Sequence, residues 1–361
     1  MNLADGMMAT ALLAALWRAT APILLAALAG MVSERAGVIN VALEGLMLVA
    51  AFFGVMGSVW AAQGLPAWPP ALHATLGALL GLAASVALAL LLGLCHLRWG
   101  ADLIVAGIGI NLLAAGATVF LLVLWAGDKG STAHLASAAL PALHLPGFTA
   151  WPWLDSLLNG DDRRGHHGLV WVAFAAVPLL HALLMHTRFG LRLRASGEAP
   201  EAAAAAGLPV DRLRYAALAL SGLLAGLGGL YLSMGYLTLF QADMSGGRGF
   251  IALAAVFLGG RTPLGVLGAA LLFGACAVAA TQLGLLNLPP QAVQMLPALA
   301  TLAAMLLFGL RQRLLWRRRE AASLARWQSG LSRAAGATAP SSDPVLSDPA
   351  SSDPAASGPP R

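Results

Sequence analysis

The sequence predicts an all-α, polytopic membrane protein with about nine transmembrane helices (eight to ten), one of them short or broken. Three observations carry this reading. Hydrophobic types make up 59% of the 361 residues and charged types only 10%, whereas a soluble domain carries about a quarter charged residues. The apolar residues fall into runs close to the roughly 20 that one bilayer crossing requires. The 41 glycines also suit membrane helices, where small residues let backbones approach closely. The net charge of +5 sits between apolar runs and near the C-terminal end. It does not form a basic face with interleaved aromatics, so it signals topology and not a nucleic-acid partner.

The predicted spans run over 8–31, 37–58, 71–95, 102–126, 168–187, 214–239, 246–260, 263–284 and 290–310. The first lacks a basic leader and a small-residue cleavage site, so it reads as a span and not as a removable signal. The seventh is short for a full crossing. It lies between SGGRG (245–249) and GGR (259–261), which marks a broken or re-entrant segment whose freed backbone must line a cavity or be buried in protein. Cys95 and Cys276 each fall inside an apolar run, with neither disulfide nor metal-site spacing, and read as small buried hydrophobes.

Orientation follows from the arginines. Arg188, Arg192, Arg194, Arg212 and Arg214 cluster around the loop 188–213, and Arg311, Arg313, Arg317, Arg318 and Arg319 follow the last span. Both groups are expected in the cytoplasm, with the uncharged segment 59–70 and the charge-balanced segment 127–167 outside. Nine crossings then put the N-terminus outside and the C-terminus in the cytoplasm. The run DDRRGHH (161–167) has no helical ligand spacing and reads as a solvated loop, not a metal site. Residues 1–312 form the expected membrane domain. Residues 313–361 form a basic juxtamembrane segment and a tail repeating Ser-Asp-Pro, which cannot build a core.

The chain lacks the parts of several chemistries. A phosphate-cradling loop needs a Lys after its glycines. The single lysine, Lys129, stands in GDKGST with the wrong order around it. Neither H-E-x-x-H nor G-x-S-x-G occurs. No catalytic residue and no metal ligand is therefore assigned, and the chain is expected to have no ATPase site of its own.

What remains is polar groups set in apolar helices. Asn40 and Glu44 lie four residues apart and are expected on one helix face near the cytoplasmic end of the second span. Glu44 reads either as a pathway or gating group or as a snorkelling, helix-bonding carboxylate. Asn111 in the fourth span and Gln282 in the eighth fit helix-tying roles as well. The loop RFGLRLRASGEAPEAAAAAG (188–207) contains a short helix-forming core, Glu201 to Ala206, with Pro200 suited to its first turn and Gly207 to its C-cap. An ordinary topology loop needs no such helix, whereas a cytoplasmic motor needs something to push against.

Four stretches, in order along the chain, carry a resemblance: GVINVALEGLMLVAAF (37–52), RFGLRLRASGEAPEAAAAAGLP (188–209), SGLLAGLGGLYLSMG (221–235) and GRGFIALAAVFLGGRTPLGVLGAALLFG (247–274). Over roughly residues 10 to 310 the chain resembles permeases of ATP-binding-cassette (ABC) importers of the branched-chain amino acid and simple-sugar class. Within that class it resembles the nucleoside and simple-sugar branch that works with a BMP-type binding lipoprotein. The resemblance implies a multi-pass subunit of a bacterial inner membrane that translocates a small polar solute, with nucleoside or simple sugar favoured over branched-chain amino acid. It implies ABC ATPase subunits, a second permease (heterodimer over homodimer), an extracytoplasmic solute-binding protein and membrane lipid as partners. It implies no cofactor bound by this chain, with ATP and Mg used by the partner ATPase. By position, the ATPase-coupling loop would comprise Arg188, Arg192, Arg194, Gly197, Glu198, Pro200, Glu201 and Gly207. The translocation pathway, formed partly by broken helices, would involve Asn40, Glu44, Asn111, Gly247, Gly249 and Phe250. An ion-gradient-driven secondary transporter is the reading from a different class. Such carriers place ionisable groups near the bilayer midplane, whereas Glu44 and Asp102 sit toward span ends and Asp243 borders a span.

Overall fold

The computed structural model describes residues 3–135, 137–143, 159 and 166–284, together with positions 299, 303, 306, 309, 310 and 313. Helix α1 covers Leu3–Arg35, α2 Leu43–Gly64, α3 Pro70–Gly93 and α4 Leu103–Ala126. After a short antiparallel pairing of β1 (Ala142–Leu143) with β2 (His166–His167) comes α5, Gly168–His186. The loop that follows holds α6 (Arg188–Glu198) and α7 (Pro200–Ala205). Then come α8 (Val210–Leu230), α9 (Arg248–Leu258) and α10 (Pro263–Gly284). Single π turns extend α3 through Arg98 and α8 through Tyr236.

Seven of these helices are long and apolar enough to cross a membrane, and α9 is a shorter apolar helix. They correspond in order to the first eight predicted segments. The ninth, 290–310, falls outside the continuously described residues, as do the 161–165 part of the polar run and the Ser-Asp-Pro tail.

Local chemistry sets several boundaries. The Asp102 carboxylate accepts the N–H groups of Ile104 and Val105 at 2.9 and 3.0 Å and so starts α4. Thr187 caps α6 by accepting from Gly190 N–H at 3.1 Å. Pro200 opens α7, and Gly207, at φ +80°, closes it while the Leu208 N–H returns to the Ala203 carbonyl. One boundary departs from expectation. The second span begins at Leu43 and not at 37, because residues 38–40 leave the helical path after Gly37 turns at φ +80°.

Helix α2 is the centre of the bundle. Nearly every residue from Leu43 to Val59 is buried, as expected of a helix apolar on all sides and surrounded by others. Against it α8 presents small residues. A Cβ at Gly229 would overlap the Met47 carbonyl, so only glycine allows this approach. Ser85 of α3 donates to the Gly222 carbonyl of α8 at 2.7 Å, and this bond ties α3 to α8. The outer face of α4 is apolar and open, with Val105 70%, Leu112 69% and Phe120 66% exposed, the composition a lipid-facing surface requires. Cys95 and Cys276 are half-buried and free, less enclosed than expected because each stands on a helix flank that only partly faces the bundle.

Arg35, Arg194, Arg214 and Arg261 gather with Glu34 and Glu198 at one end of the helices, here called the basic end. At the opposite end the segment 127–143 is laced to 234–241. Thr132 and Phe240 exchange backbone and hydroxyl bonds at 2.9 Å, and the Leu140 N–H donates to the Met234 carbonyl. His167 belongs to this end. Its Nε2 bonds the Leu140 carbonyl at 3.0 Å and its Nδ1 accepts from Leu169 N–H at 3.3 Å, so the neutral Nε2–H form fits both partners. Burial pushes its pKa below the usual histidine value, against a smaller opposing effect of the Leu140 bond.

Candidate translocation site

The break between α1 and α2 exposes main-chain polar groups inside the bundle, where no bulk water can satisfy them. Side chains do so instead. Asn40 turns its carbonyl oxygen to the Ala42 N–H at 3.0 Å and donates to Ser221 Oγ of α8 at 2.9 Å. Asn111 of α4 brackets the same stretch, accepting from Gly45 N–H at 2.8 Å and donating to the Val41 carbonyl at 2.9 Å. Glu44, in the first turn of α2, accepts the N–H groups of Gly247 and Gly249 at 2.7 and 2.6 Å.

The last pair of bonds makes Glu44 the cap of α9, supplied from a different helix. Four N–H groups at a helix start lack intrahelical partners and carry partial positive charge, so a carboxylate there is favourable. The 11 residues of α9 span about 16 Å at roughly 1.5 Å per residue. Its far end reaches the basic end, where Arg261 Nη2 stands 3.0 Å from Glu34 Oε1 and Arg35 Nε donates to the Arg261 carbonyl at 2.7 Å. Glu44 therefore meets α9 about 16 Å along that helix from its Arg261 end. Glu44 is the second residue of the span Leu43–Gly64. The chain re-enters the bundle over residues 38–42, which a continuous-helix reading does not show.

Asn40, Asn111 and Glu44 thus satisfy main-chain groups of residues 41–45 and of Gly247 and Gly249, a set of contacts here called the polar node. Phe250 does not join it and is 50% exposed on α9. The residues expected to meet an ATPase lie apart from the node. Arg188, Arg192, Glu198, Glu201 and Gly207 are exposed, while Arg194, Gly197 and Pro200 are half-buried. Gly197 packs on the break itself. A Cβ there would overlap the Arg35 carbonyl and approach the Gly37 nitrogen to 2.9 Å. Helix α6 precedes the helix expected in this loop and contains Gly190 and Gly197, which lower helix propensity. Its buried positions Gly190, Leu193 and Ser196 nevertheless repeat every three residues.

A cavity of about 650 Å³ opens beside the first turn of α9, with Arg18, Pro22, Tyr231, Tyr236, Arg248 and Thr281 on its walls. Sequence reasoning passed over both arginines. Arg18, an isolated charge within the 26-residue span Thr10–Arg35, was the signal that could have found the cavity.

The family described as branched-chain amino acid transport system / permease component matches residues 12–308. The chain belongs to this permease family. The permease is 38% identical to the guanosine ABC transporter permease protein NupQ of Bacillus subtilis over 70% of its own length and 76% of the relative's. It is 33% identical to the nucleoside ABC transporter permease protein NupC of Lactococcus lactis, over 80% and 88% of the two chains. It is 31% identical to the putative glucose ABC transporter permease protein TsgC13 of Haloferax volcanii, over 74% and 75%. No solved structure matches the permease. Family and helices together make it a multi-pass membrane subunit of an ABC transporter.

Proposed function

We propose that this permease imports nucleosides across a bacterial inner membrane, paired with a second permease and driven by ABC ATPase subunits that dock on its basic end. Arginines concentrate there, which supports a cytoplasmic placement of that end and of the C-terminus. An extracytoplasmic binding protein would deliver solute to the opposite end. ATP and Mg belong to the ATPase partners, and this chain contributes differential stability of its inward and outward states.

The observation that carries the coupling is the seating of Gly197 on Gly37. Helices α6 and α7 offer an exposed docking face, and Gly197 joins that face to the α1–α2 break. The break leads through Glu44 to the start of α9, so a push on α6 and α7 reaches the half-helix through packed backbone. Nucleoside is favoured because relatives named for guanosine and nucleosides match over most of their length. A relative named for glucose makes simple sugar the second reading.

The test is purification of the transporter from mild detergent, identification of the co-purifying ATPase, and uptake of labelled guanosine and glucose into vesicles. ATP-dependent guanosine uptake supports the proposal. Glucose uptake alone moves the solute to the second reading, and solute movement without any ATPase overturns the coupling.

A further inference from the structure

The cavity beside α9 has a combination of walls that the polar node does not explain. Arg18 of α1 spends one bond on its own helix, Nε to the Ala14 carbonyl at 3.4 Å. Arg248 Nη1 donates to the carbonyls of Met244 and Ser245 at 3.1 and 3.0 Å. Among the described residues no carboxylate pairs with either guanidinium, and Arg248 Nε and Nη2 make no hydrogen bond. Tyr231, buried, lines the same cavity as Arg18, Arg248 and Tyr236. Tyr236 is 64% exposed and offers an aromatic face. Most of the remaining lining is alanine, valine, leucine and proline.

Two guanidinium forks call for acceptor oxygens or nitrogens. The apolar remainder calls for a flat, weakly solvated body and disfavours a compact anion such as phosphate, which would lose its hydration without enough donors to replace it. A 6-oxopurine meets both demands. Its O6 and N7 form one edge that accepts both donors of an arginine fork, and every base has a face on which tyrosine stacks. Adenine presents an amino donor at that edge, and a pyrimidine lacks N7. The volume of about 650 Å³ lies within the roughly 300–1,000 Å³ usual for small-molecule sites.

We infer that this cavity is the permease's own solute subsite, selective for 6-oxopurine nucleosides, with Arg248 and Arg18 reading the purine edge and Tyr236 stacking on the base. The inference rests on the nucleoside reading above. It adds that selectivity is exercised within the membrane subunit, away from the basic end, at the first turn of the half-helix capped by Glu44. Occupancy of the cavity would then be sensed directly at α9.

The test uses membranes holding the complete transporter, irradiated with a radiolabelled azidoguanosine, with label mapped on peptides of this chain. Uptake of guanosine is measured separately on the same membranes. Expected is labelling of the Tyr231–Tyr236 or 277–281 region that inosine displaces well, adenosine weakly and cytidine hardly at all. Arg248→Gln should cut the labelling by about tenfold, the order of discrimination one bidentate pair supplies, with Arg248→Lys retaining part. Tyr236→Ala removes an exposed ring with little loss of packing and should also weaken labelling, so the test does not depend on one variant folding. A wild-type transporter that imports guanosine but shows no displaceable label here overturns the inference and leaves the nucleoside reading standing. So does labelling unchanged in both the Arg248→Gln and the Tyr236→Ala variants. A wild type that imports glucose and no nucleoside overturns both.

Discussion

The Glu44 carboxylate receives the N–H groups of Gly249 at 2.6 Å and Gly247 at 2.7 Å, so the first turn of α2 caps a helix 205 residues further along the chain. Charge-assisted bonds to backbone N–H groups are stronger than neutral ones, and their loss strands buried donors in a site without bulk water. Glu44→Ala should therefore lower the stability of the purified permease by about 3 kcal/mol, and Glu44→Gln, which keeps one acceptor oxygen, by about half as much. Thermal unfolding in detergent reads both. A Glu44→Ala protein as stable as wild type would show that the cap contributes nothing.

The short seventh span was readable because glycines flank it on both sides, and α9 is the 11-residue helix those flanks enclose. The break before α2 was much harder to see. Residues Val38 to Glu44 contain no glycine or proline, and Gly37 is the single local sign that the chain turns. What holds residues 38–42 out of a helix is partly local, the Asn40 side chain accepting from Ala42 N–H, and partly tertiary, Asn111 of α4 taking the Gly45 N–H and the Val41 carbonyl. A spacing of four had suggested that Asn40 and Glu44 share a helix face. Asn40 lies before the helix starts and bonds Ala42 and Ser221, whereas Glu44 bonds the start of α9. The cavity was out of reach for a similar reason, since its arginines stand 230 positions apart in sequence and only packing brings them to one wall.

At the basic end, Glu34 is 6% exposed and Arg261 56%, with 3.0 Å between Nη2 and Oε1. Removing the arginine leaves an almost buried carboxylate without its counter-charge, whereas removing the carboxylate leaves a cation that water reaches. Arg261→Gln should therefore cost more than Glu34→Gln. The double variant should recover part of the loss, with a coupling energy of about 1–2 kcal/mol in a double-mutant cycle. Additive single effects would mean that the contact contributes no pairwise stabilisation.

His167 gives one pH dependence with a defined sign. Burial holds its pKa below the unfolded value of about 6.5, so the folded chain binds fewer protons than the unfolded chain in acid. Its contribution to stability is complete above about pH 6.5 and is lost as the pH falls through the depressed folded value. His167→Asn keeps a side-chain acceptor for the Leu169 N–H but cannot titrate. The melting temperature of wild type should fall more than that of the variant between pH 7.5 and 5.5. Parallel falls would assign the acid sensitivity to other groups.

The seat of Gly197 on the α1–α2 break separates coupling from assembly. Valine at this position would drive its side chain into the Arg35 carbonyl and the Gly37 backbone, forcing α6 away from α1 while leaving the exposed docking residues Arg192, Glu198 and Glu201 in place. Gly197→Val should therefore still bring an ATPase through purification and still support its hydrolysis, yet lose most ATP-driven uptake. Gly109→Ala is the control, since a Cβ there meets nothing within 4 Å, and it should behave as wild type in every respect. Loss of the ATPase from the Gly197→Val complex would make the contact a determinant of assembly. Full uptake would mean that the push reaches α9 by a route other than Gly37 and Glu44.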